Sequence, residues 1–311
     1  MLIPNNKQKT KLFQYANTAR FAYNWALSRE KENYKNGGKF ISDGDLRKEF
    51  TTSKKKNKQK LNWIRLAEHN RIPTDCKYIN PRIKYDGINW YLTVGIEYKD
   101  STIVPSNEGI GIDLGIKDLA ICSDGNKYQN INKTQRVKKL EKQKRRLQRS
   151  ISRKYEKNKK GESYCKTKNV IKREKLLLKL NHRLTNIRQN YIHHITSEII
   201  KREPSFIVLE DLNVSGMMKN KHLSKAVQQQ GFYEFRRQIE YKSVWNNILV
   251  IIADRFFPSS KLCSCCGSIK KDLSLSDRIY RCECGNVIDR DFQASINLKR
   301  YGENVLNQSN L

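Results

Sequence analysis

Apolar residues recur every three or four positions through residues 8–35. Leu12, Ala16, Ala19, Tyr23, Ala26 and Leu27 share one face, so the segment is predicted to be a helix, ended by Gly37-Gly38. A shorter helix is predicted from Ser42 to Phe50, with Ser42 or Asp43 as its cap. Residues 53–60 hold no apolar position and read as a basic loop. The period then changes to two. Residues 89–98 alternate and are rich in aromatic and β-branched side chains, the pattern of a half-buried strand. Residues 110–114 form a short apolar run around one acid. Residues 119–123 and Lys127-Tyr128, joined by Asp124-Gly125, read as a hairpin.

Two long helical patterns follow. Val137, Leu140, Leu147 and Ile151 keep the helical spacing within 133–157, and Leu177, Leu180, Leu184, Ile187, Tyr191 and Ile195 keep it within 168–201. Gly161 lies in the link. An antiparallel helical hairpin is expected, with its apolar seam inside and its polar residues outside. Residues 206–211 read as a buried strand after Pro204. Residues 224–246 read as one amphipathic helix carrying Val227, Phe235, Ile239 and Trp245 inward. Residues 249–253 form a second buried strand, and a short helix is expected from Asp291 to Tyr301. Strands, a helical hairpin, then strands alternating with helices predict an α/β domain with a mixed sheet and helices on its faces.

Charge narrows the range of partners. Lys and Arg number 62 against 31 Asp and Glu, a formal balance of +31. Residues 131–180 alone hold 20 basic against 4 acidic side chains. A solvated helical face is the bland reading of a basic run, but an excess this dense and this general calls for a polyanion, nucleic acid first. No apolar run is long enough to span a bilayer, so no membrane partner is expected. The first seven residues lack the apolar core of a signal peptide, and an intracellular, cytoplasmic protein is expected.

Two constellations carry chemistry. Asp113 interrupts the apolar run 110–114, Glu210 ends the run 206–210, and Asp291 opens the last helix. An acid within an apolar strand is costly to bury unless it is paired or binds metal. Three carboxylates at one sheet edge would repel each other and would suit two divalent cations, the pair of metals that hydrolyses phosphodiesters. The bland alternative makes each acid a cap or a surface residue; Asp211 and Asp289 are the expected bystanders. The second constellation is Cys263-x-x-Cys266 followed by Cys282-x-Cys284, four thiols suited to one tetrahedral zinc, with Cys265 the spare. A closed four-thiolate site leaves no open position, so that zinc would be structural. Near the N-terminus, Arg20, Phe21, Trp25 and Arg29 combine rings and charge as single-stranded nucleic acid requires, although Phe21 and Trp25 also suit a helix core.

The stretches Leu2-Ile-Pro-Asn5, Arg20-Phe-Ala-Tyr-Asn-Trp25, Gly111-Ile-Asp-Leu-Gly-Ile-Lys117 and Val208-Leu-Glu-Asp-Leu212 come in order along the chain. Cys263-x-x-Cys266 and Cys282-x-Cys-Gly285, leading to Asp289-Arg-Asp291 and Asn297-Leu298, complete the set. Together they resemble the TnpB/OrfB family of transposon-encoded proteins, which is similar to the type V CRISPR effector nucleases. The resemblance implies a RuvC/RNase H-like mixed sheet with a long basic helical hairpin, a zinc-ribbon insert and a reduced N-terminal helical and β lobe. The expected parts are a shortened recognition lobe over 1–68, a β-rich wedge-like remnant over 69–104 and a nuclease core over 105–260 with its hairpin at 131–201. A zinc ribbon over 261–285 and the end of the core over 286–311 follow.

The resemblance also implies a transposon-derived guide RNA, a target DNA, two catalytic Mg2+, one structural Zn2+ and an intracellular, nucleoid-associated setting. Asp113, Glu210 and Asp291 match the family's catalytic acids. Lys117, Arg145, Arg146, Arg149, Arg153, Lys154, Arg20 and Trp25 are the expected nucleic-acid contacts. The chain departs from the family in the short run between Trp63 and Ala67, where members carry a longer recognition segment, and in Gln293, where Asn is commoner. The expected activity is RNA-guided, metal-dependent DNA cleavage. The alternative is a nucleic-acid-binding protein without effective cleavage.

Overall fold

The computed structural model describes residues 1–52, 63–68, 72–97, 108–274 and 277–309; the predicted 53–60 loop and the 104/105 boundary lie outside them. The chain forms two compact units, residues 1–98 and 99–311.

In the first unit, the helix Asn6–Lys35 starts at a reciprocal cap. The Asn5 side chain accepts the Gln8 amide at 2.9 Å, and the Gln8 side chain accepts the Asn5 amide at 2.9 Å. Leu12 is the buried residue of this helix; it packs with Leu2 and Trp90. The second helix, Asp43–Thr52, has Ser42 at its start, where the hydroxyl accepts the Asp45 amide at 3.2 Å. A four-stranded antiparallel sheet takes its strands in the order Arg65–Leu66, Leu2–Ile3, Trp90–Ile96, Tyr78–Tyr85. It draws strands from both sides of residue 68.

The second unit is a mixed five-stranded sheet in the order Leu249–Ala253, Phe206–Glu210, Ile110–Leu114, Asp118–Cys122, Lys127–Gln129. The first three are parallel and the last two antiparallel. Gly125 makes the hairpin turn at φ +85°, a conformation open to glycine at little cost. The helices Gln135–Lys157 and Lys168–Ile200 form the expected hairpin, sealed by Val137, Leu140 and Leu184. The far half of the second helix lays Ile192, Ile195 and Ile199 on one face of the sheet, against Ile112 and Leu209.

The predicted helix over 224–246 is two helices, Ser224–Gln230 and Phe232–Trp245. Gly231 stands between them at φ +70°, a left-handed residue that ends the first helix and turns the second. Phe235 and Ile239 are fully buried, but Trp245 is 59% exposed and packs its ring against Tyr241 of its own helix, with ring centres 4.7 Å apart. The last helix is longer than expected, Arg290–Ser309, and covers the opposite face through Leu298, which packs with Phe206 and Val208.

Gly111 sets the closeness of that last contact. A Cβ there would collide with the carbonyl oxygen of Ser295 and the amide nitrogen of Lys299. Only a residue without a side chain lets the helix backbone lie on this strand.

Candidate functional site

Strand register brings two of the three acids together. Ile110, Gly111 and Ile112 pair with Ile207, Val208 and Leu209 in parallel. One residue further, Asp113 stands beside Glu210 on strands that lie about 4.8 Å apart. Side chains alternate along a strand, so Asp113 shares the face of Gly111, and Glu210 that of Val208. That face is the one covered by the last helix. Asp289 caps this helix: its carboxylate accepts the amides of Asp291 at 3.0 Å and Phe292 at 3.1 Å. Asp291 therefore sits in the first turn, next to the strand ends.

The electrostatics agree with the geometry. Burial, then the charges of Glu210 and Asp291, push the Asp113 carboxyl well above its ordinary range, against a smaller pull from Arg290. Glu210 is also raised, chiefly by burial and by Asp291, although the Ser259 hydroxyl donates to it. Asp291 faces cations too: Arg290 at 3.4 Å and Arg278 at 3.8 Å. Among the described residues, the four cysteines are the group that brings one ligand atom from each member within 4.8 Å of all the others; the three carboxylates stand further apart than that. The donor set, three hard carboxylates on a partly buried edge, fits divalent cations such as Mg2+.

The thiols lie closer together. Cys263 and Cys284 lie 3.7 Å apart and Cys266 and Cys282 3.6 Å. Tetrahedral zinc with bonds of about 2.3 Å requires sulfur pairs about 3.8 Å apart, so the residues fit that ion. Gly267 and Gly285, at φ +75° and +88°, close the two knuckles, and the shorter second one closes as well as the first. Burial opposes ionisation of Cys263. The Cys266 and Cys265 amides and the Asn286 side chain outweigh it and bring the thiol down to about 6. Cys265 points outward and is exposed.

The predicted nucleic-acid contacts are spread out. Arg145, Arg146, Arg149 and Arg153 are exposed along the first hairpin helix, with Lys154 half-buried. Lys117 is exposed, and its carbonyl accepts the Lys133 ammonium at 2.8 Å. Arg20 is exposed, whereas Trp25 packs on Phe50 with ring centres 5.2 Å apart.

Other residues gain roles that local spacing does not signal. Asn297, fully buried, donates to the carbonyls of Ser259 at 2.8 Å and Leu262 at 2.7 Å, so the last helix holds the loop that carries the hydroxyl on Glu210. Asp211 holds Arg255 and, at 3.2 Å, Arg236. Gln293 is fully buried and accepts the Asn286 side chain at 3.1 Å, tying the helix to the cysteine loops.

Family models match three stretches: one described as "Probable transposase" over 93–221, one as "Helix-turn-helix domain" over 1–39 and one as "Cas12f1-like, TNB domain" over 232–298. The chain belongs to the TnpB/OrfB family. The second of these stretches folds here as one short strand and one long helix. The OrfB and Cas12f1-like stretches hold the three acids and all four clustered cysteines.

A Streptomyces pristinaespiralis protein whose name carries the words RNA-guided DNA endonuclease is 30% identical over 255 residues, 82% of this chain and 59% of its own length. InsQ of Escherichia coli, with the same words in its name, is 27% identical over 384 residues, covering 98% of this chain and 92% of InsQ. That alignment is longer than this chain, so InsQ holds residues without a counterpart here. Among solved structures, a Cas12f1–sgRNA–target DNA complex is 18% identical with a TM-score of 0.45, covering 70% of this chain and 55% of that one. No helix among the described residues is long and apolar enough to cross a membrane.

Proposed function

We propose that this OrfB-family chain is an RNA-guided DNA endonuclease that hydrolyses phosphodiesters at the edge formed by Asp113, Glu210 and Asp291. The observation that carries this reading is the convergence of three acids from distant parts of the chain: parallel register sets Asp113 beside Glu210, and the helix that lies on Gly111 carries Asp291 in its first turn. Such a concentration of partly buried carboxylate is costly unless it serves a cation. The names of the relatives support the substrate and the guide.

In this reading, Asp113, Glu210 and Asp291 would hold two Mg2+. The ions, when bound, supply a more acidic water and neutralise charge that develops on the phosphate. The Ser259 hydroxyl orients Glu210, and Asp289 holds Asp291 in the first helical turn. Arg145, Arg146, Arg149 and Arg153, with Lys154 and Lys117, grip nucleic-acid backbones by charge, without reading sequence. Arg20 serves the same end from the N-terminal unit, and Trp25 offers a ring face. The four thiols hold one structural Zn2+. The core spans both sides of the ribbon at 261–285, inside a bacterial cell.

The test is cleavage of labelled DNA in Mg2+ by the protein with the RNA that co-purifies with it. Activity lost on Asp113→Ala while DNA binding persists supports the reading. Binding without cleavage under every supplied guide favours the second reading, a nucleic-acid-binding protein, for which the arginines already on Asp291 speak.

A further inference from the structure

A cavity of 440 Å³ opens at the carboxyl ends of the strands, beside Glu210. Its floor is apolar, made by Leu114, Leu209 and Leu212, and its wall carries Tyr233 and Arg236. Tyr233 is 72% exposed, although it stands next to the fully covered Phe232. A large ring so placed has no part in the core.

The charges around this cavity are already matched. Arg236 pairs with Asp211 at 3.2 Å and Glu240 at 2.8 Å. Arg255 pairs with the other oxygen of Asp211, and Arg237 pairs with Glu234 at 2.8 Å. Three guanidiniums meet three carboxylates, and Glu210 adds a fourth acid. A free phosphate therefore meets no excess of positive charge here. A neutral, flat ring meets what it needs: an apolar floor, an aromatic face and a rim of fixed donors and acceptors. A volume of this order holds one such group with its sugar.

We propose that this cavity takes a single unstacked nucleobase from the strand whose backbone lies at the carboxylate edge, with Tyr233 as the stacking face and Arg236 and Glu240 as edge contacts. The placement of that backbone rests on the nuclease reading; the base pocket itself rests on the cavity and its balanced charges. A nucleobase could come from DNA or from RNA, and either would present the same flat face.

The test uses the full chain carrying Asp113→Ala, so that nothing is turned over, and single-stranded oligonucleotides with 2-aminopurine at successive positions. Parallel DNA and RNA series identify the source of the base. The expected result is quenching at one position of a bound strand. In a second variant that adds Tyr233→Ala, this quenching is lost and affinity falls about tenfold, whereas Tyr233→Phe keeps both. Tyr233 is surface-exposed, so its loss leaves the fold intact, and circular dichroism checks that directly. Uniform fluorescence along the strand, or identical traces with and without the Tyr233 ring, overturns the proposal. Cleavage by the wild-type chain without positional quenching removes the pocket and leaves the nuclease. Positional quenching without cleavage under any guide removes the nuclease and leaves the pocket.

Discussion

The thiol cluster and the carboxylate edge belong to one unit of the chain, yet they are built in opposite ways. The thiols come from residues 263–284, on two tight turns, and lie at mutual distances that suit zinc. The acids come from residues 113, 210 and 291 and depend on a strand register and a helix packed on glycine. Two short knuckles fix the thiols within one stretch of chain; the carboxylates press on one another, and Asp291 collects two arginines. Local turns can therefore preassemble a soft-ligand site, whereas a hard-ligand site needs the whole domain to hold its charges close.

The largest expected effect separates the two. Structural zinc is worth roughly 10–16 kcal/mol in small finger peptides. A zinc-selective chelator should open residues 261–285 to protease, and equal resistance with and without the chelator would count against the cage. Dialysis into magnesium-free buffer should instead leave near-ultraviolet circular dichroism unchanged while DNA cleavage falls at least about a hundredfold, reversibly. Loss of folded signal on removing Mg2+ would erase the contrast.

Third comes the packing on which the acids depend. Gly111→Ala should lower stability by about 1–3 kcal/mol, read as a shift of the urea midpoint, because the helix must move off the strand. A midpoint unchanged from wild type would mean that the close approach is dispensable.

The smallest effect concerns pH. The folded pKa values of Asp113 and Glu210 lie above their unfolded values, so the proton-bound forms favour the fold. That contribution is complete below the ordinary carboxylate range near 4 and is lost as pH rises through the raised values. Asp113→Asn keeps the uncharged form at every pH. Without Mg2+ it should be more stable than wild type at pH 7 and no more stable at pH 4, read as urea midpoints. Parallel unfolding curves at all pH values would show that the acids do not strain each other.

Periodicity revealed the hairpin helices, the two strands around Asp113 and Glu210 and the cysteine spacing, because each of these is written in neighbouring residues. The strand Tyr78–Tyr85 left no such trace. All eight of its residues are exposed, Pro81 interrupts it and its pairing slips between Ile79 and Arg82. Trp245 misled because its hydrophobicity looks the same at a buried and at a projecting helix end. Asp211, Arg236, Arg255, Ser259 and Asn297 were invisible as a group. Their contacts join residues 25 to 49 positions apart, and nothing in their spacing marks them.

The helix that rests on Gly111 is made late. A ribosome reaches Asp291 only after it has finished the hairpin, the sheet and the ribbon. At about 5–20 residues per second, that leaves an interval of roughly ten to forty seconds after Asp113 emerges. Throughout that time the growing polypeptide holds at most two of its three acids. On the reading proposed above, a chain broken off before this point is born without its third cation ligand.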